Sequence, residues 1–220
     1  MKLTAILAAV LLLASCSSIP PARERITVDI RSPRCTAGSV EAYFDKFLSA
    51  TGMKAETLNV YYYPDDDVVC LHYKVDLINY YQFWSRDNRD EFISGLQQYK
   101  EDFEQRALIN KNRQTRGMYG RVLGYSIWEL SRIASQGRSH PDIEIGYSFR
   151  NRSPFFSLTQ REAENENTMS KDSYQNSITQ VIYFTIAQAE QLAILFQQDY
   201  LEGLSPDTPE RDNVFQRLFN

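Results

Sequence analysis

The sequence predicts an α+β protein, a mainly antiparallel sheet of several strands with three amphipathic helices packed on it. Three observations point there. Strand-like segments follow one another between residues 118 and 185 with no helical pattern between them, which suits antiparallel pairing and argues against Rossmann and β/α-barrel arrangements. Three stretches repeat apolar residues at helical spacing, which argues against an all-β chain. A run of β-branched and aromatic residues is broken by Pro64-Asp65-Asp66-Asp67, as a hairpin turn would break it.

Taken in order, Ile26, Val28 and Ile30 alternate with Thr27, Asp29 and Arg31, the pattern of a half-buried strand. Val40, Tyr43, Phe44, Phe47 and Leu48 fall on one helical face, and Gly52 follows as a terminator, so the spacing predicts a helix over 39–51. Residues 57–63 and 68–77 form the two arms of the hairpin. On the second arm Val69, Leu71, Tyr73 and Val75 share one face, with Cys70, His72, Lys74 and Asp76 on the other. A second helix is expected from Asp87 to Ile109, striped by Phe92, Leu96, Tyr99 and Phe103, with Asp87, Asp90 and Glu91 near its positive end.

Strands follow at 118–133, 142–150 and 155–163. The middle one turns Ile143, Ile145, Tyr147 and Phe149 to the core. The first is apolar on both faces and needs a bulge near Tyr125-Ser126. After a polar stretch at 164–177, residues 178–185 read as an interior strand. Thr185 with Gln188 resembles a capping box, opening a third helix lined by Ala189, Leu192, Ala193, Phe196 and Tyr200. Pro206 and Pro209 interrupt the exit, and Val214, Phe215, Leu218 and Phe219 predict a short terminal helix.

The chain begins MKLTAILAAVLLLASC. Lys2 precedes an apolar run of about a dozen residues, long enough for a secretory segment and short for a membrane span. Its end, Leu13-Ala14-Ser15-Cys16, resembles the lipobox of bacterial lipoprotein precursors at all four positions. The resemblance covers this leader alone. It implies cleavage before Cys16, diacylation of the Cys16 thiol, and a protein held to a membrane by lipid without crossing it. Ser17, where an Asp would resemble an inner-membrane retention signal, favours the outer membrane of the cell envelope. The expected organisation is a signal peptide over 1–15, a lipidated tether over 16–25 carrying Pro20 and Pro21, and one domain over 26–220.

Export would place Cys35 and Cys70 where a disulfide persists, worth roughly 3 to 4 kcal/mol in the loop-entropy picture, against the alternative of two buried thiols. Leader removal takes away one positive charge from a chain of net charge −4, and an acidic chain without a basic block gives no support to nucleic-acid binding.

No catalytic residues stand out. His72 and His140 are the only histidines and lie in no metal-ligand spacing, so neither a zinc site nor any other cofactor is expected. Asp65, Asp66 and Asp67 are too contiguous to converge on calcium, and Glu162, Glu164 and Glu166 fit a charged edge. Gly117, Gly120 and Gly124 form no phosphate loop and instead fit the start of a twisted strand.

Fourteen Tyr, twelve Phe and two Trp are many for this length, and Tyr61, Tyr62, Tyr63, Trp84 and Trp128 are candidates for an exposed recognition surface or for core. The expectation is a non-enzymatic envelope lipoprotein that binds or scaffolds an envelope protein or a glycan. The alternatives are an envelope enzyme using acidic residues on a wall substrate, and a metal- or small-ligand-binding lipoprotein.

Overall fold

The computed structural model describes residues 25–45, 52–110, 116–130, 135–167 and 176–207. Among these, ten strands form one antiparallel sheet: β1 (Cys35–Asp45), β2 (Met53–Tyr63), β3 (Val68–Val75), β4 (Ile78–Trp84), β5 (Arg116–Leu123), β6 (Tyr125–Leu130), β7 (Ser135–Ser139), β8 (Asp142–Arg150), β9 (Ser153–Gln160) and β10 (Gln180–Phe184). Helices α1 (Arg86–Glu104), α2 (Ile186–Phe196) and the short α3 (Gln198–Glu202) complete it.

The spatial order β5-β8-β9-β10-β1-β2-β3-β4-β6-β7 explains why the sheet curls. β5 runs into β6 through Gly124, and β7 runs into β8 through His140-Pro141. Residues 116–130 and 135–150 are thus one long bent hairpin, half of it at each end of the sheet. The two ends are thereby drawn together. At the bend Gly124 N–H donates to the Pro141 carbonyl at 2.9 Å. A Cβ on Gly124 would stand 2.4 Å from Ile143 Cδ1, so only glycine turns this corner without moving the core.

Two apolar clusters lie on opposite faces. The larger fills the concave side, where Phe44, Leu71, Tyr73, Trp84, Ile145 and Phe156 meet Phe92, Leu96 and Tyr99 of α1 and Leu192 and Phe196 of α2. The smaller lies outside β2, β3, β4 and β6, where Tyr63, Val68, Cys70, Tyr81, Phe83 and Ile127 are covered by Ile26, Val28 and Ile30.

The predicted packing of three amphipathic helices on a sheet is therefore corrected: most of the molecule is the curled sheet, and the helices are few and short. The helix expected at 39–51 is strand β1 as far as Asp45. Cys35, Ala37, Val40, Ala42 and Phe44 are buried in alternation, and the phase slips at a bulge between Thr36 and Gly38. Past the bulge Val40 and Phe44 lie on the buried face and Tyr43 on the other, edge-on to Phe155, so rings on both faces of a strand give a helical spacing by coincidence. Residues 46–51 lie outside the described residues, as do 131–134, most of the 164–177 stretch, and 214–219.

Ile26, Val28 and Ile30 turn to one side as expected, yet residues 25–29 join no strand ladder. α1 stops at Glu104, where Arg106 takes a positive φ of 55°. The hairpin, the outward and inward faces of β3, strand β8 and the Thr185–Gln188 capping box are all as expected. No helix among the described residues is long and apolar enough to cross a membrane.

Candidate functional site

Tyr62, Tyr63, Trp84 and Trp128 are buried in the core, while Tyr61 is half-exposed with the Arg34 guanidinium over its ring. Trp84 packs edge-on to Phe92, and its indole N–H donates to Gln82 Oε1 at 3.0 Å. Gln82 and Ser126 both donate to Gln160 Oε1, at 3.1 and 2.7 Å, a polar tie between β4, β6 and β9 inside the curl. Trp128 lies so close over β7 that a Cβ on Gly137 would meet its ring at 1.9 Å.

The expected Cys35–Cys70 disulfide is absent, and both thiols are free and buried. Cys35 faces the concave cluster and Cys70 the outer one. With β2 between their strands, their backbones are roughly 9 to 10 Å apart, too far for a bridge even if the side chains faced each other. Burial raises both thiols above the ordinary cysteine value, with Asp207 adding to the effect at Cys35.

Four of the acidic side chains singled out from the sequence, Asp66, Asp67, Glu162 and Glu166, serve as structural partners. Arg89, 1 % exposed, donates from NH2 to Asp67 Oδ1 at 2.8 Å and Gln198 Oε1 at 2.7 Å, and from NH1 to the Asp67 carbonyl at 2.9 Å. Tyr62 adds its hydroxyl to Asp67 at 3.2 Å. Asp66 accepts from Asp29 N–H at 3.0 Å. Glu166 sits 3.0 Å from His140 Nδ1, while His140 Nε2 lies 3.1 Å from the Ile26 carbonyl oxygen and Tyr125 stacks on the ring. His72 stacks flat on Tyr81 at 4.5 Å.

A concave surface does form elsewhere, on the outer face of β5, β8 and β9. Strand register sets Met118, Gly146, Ser157 and Tyr183 side by side across four strands. Gly146 leaves the floor flush, because the bulge between Met118 and Gly120 brings the Gly117 carbonyl within 2.0 Å of where a Cβ would stand. The result is an open trough of about 180 Å³ bounded by Arg116, Met118, Glu144, Ser157, Thr159 and Arg161. Such a volume takes one side chain or one sugar ring; enclosing a whole small molecule takes roughly 300 Å³ or more.

Glu144 accepts from Arg121 at 3.0 Å and Arg161 at 2.7 Å, which fixes one wall. Arg116 and Met118, the latter 58 % exposed, stand on the opposite side along strand β5. Beyond Ser157 the floor ends at Tyr183, whose hydroxyl donates to Asp45 at 2.9 Å under the Arg150 guanidinium. Burial first, then the Asp45 hydrogen bond, pushes that hydroxyl up to about 12. Sequence reasoning missed this trough; its one legible trace was the glycine group at Gly117 and Gly120, read there as strand shaping.

A family model described as "Uncharacterised Treponema protein" matches residues 33–203, from just before β1 to just after α3. No curated protein and no solved structure matches the chain.

Proposed function

We propose a binding role for this chain, which belongs to that uncharacterised Treponema family: a non-enzymatic lipoprotein, anchored at the envelope through Cys16, that holds a partner protein against the outer face of β5, β8 and β9. The trough carries this reading. It sets an exposed apolar side chain, Met118, between the exposed Arg116 and Arg161 over a floor that holds the buried Ser157 and Thr159, and Met and Arg are the residues enriched at protein contact surfaces. Its carboxylate is already committed to two arginines, which suits a fixed charged rim better than proton transfer.

The anchor is tested by intact mass of the membrane-extracted protein. A chain starting at Cys16 and carrying acyl mass supports it, and the same chain without acyl mass removes the anchor from the account. The binding face is tested by retention of the chain made without lipid, as Cys16→Ser, on envelopes from its own organism lacking the native copy. Met118→Asp with Arg116→Glu, both at exposed positions, should reduce retention about tenfold while leaving the melting temperature unchanged. Equal retention sinks the assignment of this face.

A further inference from the structure

Residues 25–34 cover the outer cluster without joining the sheet. Ile26 is 6 % exposed, and with Val28 and Ile30 it lies over Tyr63, Val68, Cys70, Tyr81, Phe83 and Ile127. Side chains hold the first part of the segment, Asp66 at the Asp29 N–H, His140 at the Ile26 carbonyl and Glu166 at Arg25, 3.6 Å away, while at its end the Arg34 carbonyl accepts from Asp207 N–H at 2.9 Å and the Arg34 guanidinium lies over the Tyr61 ring. Both ring nitrogens of His140 face oxygen atoms, Glu166 at Nδ1 and the Ile26 carbonyl at Nε2, so this one side chain makes the Ile26 attachment. Each of these attachments breaks without opening a strand ladder, whereas the concave cluster is locked by the whole curl and by both longer helices.

We propose that residues 25–34 are a releasable strap, which leaves the outer face of β2, β3, β4 and β6 while the curled sheet and its concave core stay folded. A pull on the preceding chain reaches the strap before it reaches any strand. Its release bares a second apolar surface centred on Tyr63, Cys70, Tyr81 and Phe83. Local opening of this kind is expected where few backbone hydrogen bonds hold a segment in place.

The two cysteines report on the two cores separately. The full chain in detergent is pulsed with N-ethylmaleimide under native conditions, and peptide mass mapping reads Cys35 and Cys70 individually. Cys70, with no exposure, is expected to label at least tenfold faster than Cys35, at 2 % exposure, whereas static burial alone would make Cys70 no faster than Cys35. Ile26→Asp should raise the Cys70 rate a further tenfold and leave Cys35 unchanged. Stapling the strap with Asp29→Cys and Asp66→Cys should bring Cys70 down to the Cys35 rate, with reductant restoring the difference. Equal rates for Cys35 and Cys70 in the unsubstituted chain, or a Cys70 rate unaffected by the staple, overturn the proposal.

Discussion

Replacing Arg89 by methionine keeps the aliphatic stem and removes the charge that ties α1 to the β2–β3 turn and to α3. The guanidinium is 1 % exposed, while the Asp67 carboxylate is 35 % exposed and keeps its bond from Tyr62. Breaking a fully buried pair costs about 3 to 5 kcal/mol; partial solvation of Asp67 places Arg89→Met at about 3 kcal/mol, the lower end. For a domain of this size that corresponds to a fall of roughly 6 to 12 °C in melting temperature. Urea unfolding of the single variants Arg89→Met and Asp67→Asn and of the double variant gives the coupling. The two losses should fall short of additivity by about 1.5 kcal/mol or more. A loss below about 1 kcal/mol for Arg89→Met, or additivity within about 0.5 kcal/mol, refutes the reasoning.

Gly146→Ala should destabilise by about 1 to 3 kcal/mol, because its Cβ meets a backbone carbonyl that cannot swing away, whereas Gly203→Ala, in open helical geometry, should stay within about 0.5 kcal/mol; paired thermal melts decide it. Burial holds the Tyr99 and Tyr183 hydroxyls at about 12, above the ordinary value of 10. The stability they contribute is therefore complete below pH 10 and is lost as pH rises toward 12. Phenolate absorbance and far-ultraviolet circular dichroism, followed together, should show these tyrosines ionising as the chain unfolds; a single wave near pH 10 with the fold intact contradicts the burial. Non-reducing mass analysis of the denatured protein should find Cys35 and Cys70 both able to take up alkylating reagent, and a two-dalton deficit with no uptake contradicts the opposed faces described for them.

What was legible in the sequence was local. The Pro64–Asp67 turn, the Phe92-Leu96-Tyr99 stripe and the Thr185–Gln188 box each depend on residues within one or two turns of chain. β4 was hidden because Tyr81 and Phe83 are covered by the distant strap while Tyr80 and Trp84 face the concave core, so no alternation survives. β7, SQGRS, has no apolar signal at all and is a strand because β6 pairs with it on one side and Asn165 and Glu166 bond its backbone on the other. The trough depends on register across β5, β8 and β9 and on one bulge, which are properties of pairing and not of any segment. The aromatic runs left surface and core open for the same reason: rings on both faces of a strand read either way until the cover on each face is known.

The most direct test of the binding role is photo-cross-linking in intact cells, with benzoylphenylalanine placed at Met118 on β5 or at Lys74, an exposed position on β3. A discrete protein adduct from position 118, absent from position 74 and weakened by Arg116→Glu, is the predicted result. Adducts of equal yield from both positions, or none from 118 in cells where the chain is folded and abundant, contradict it.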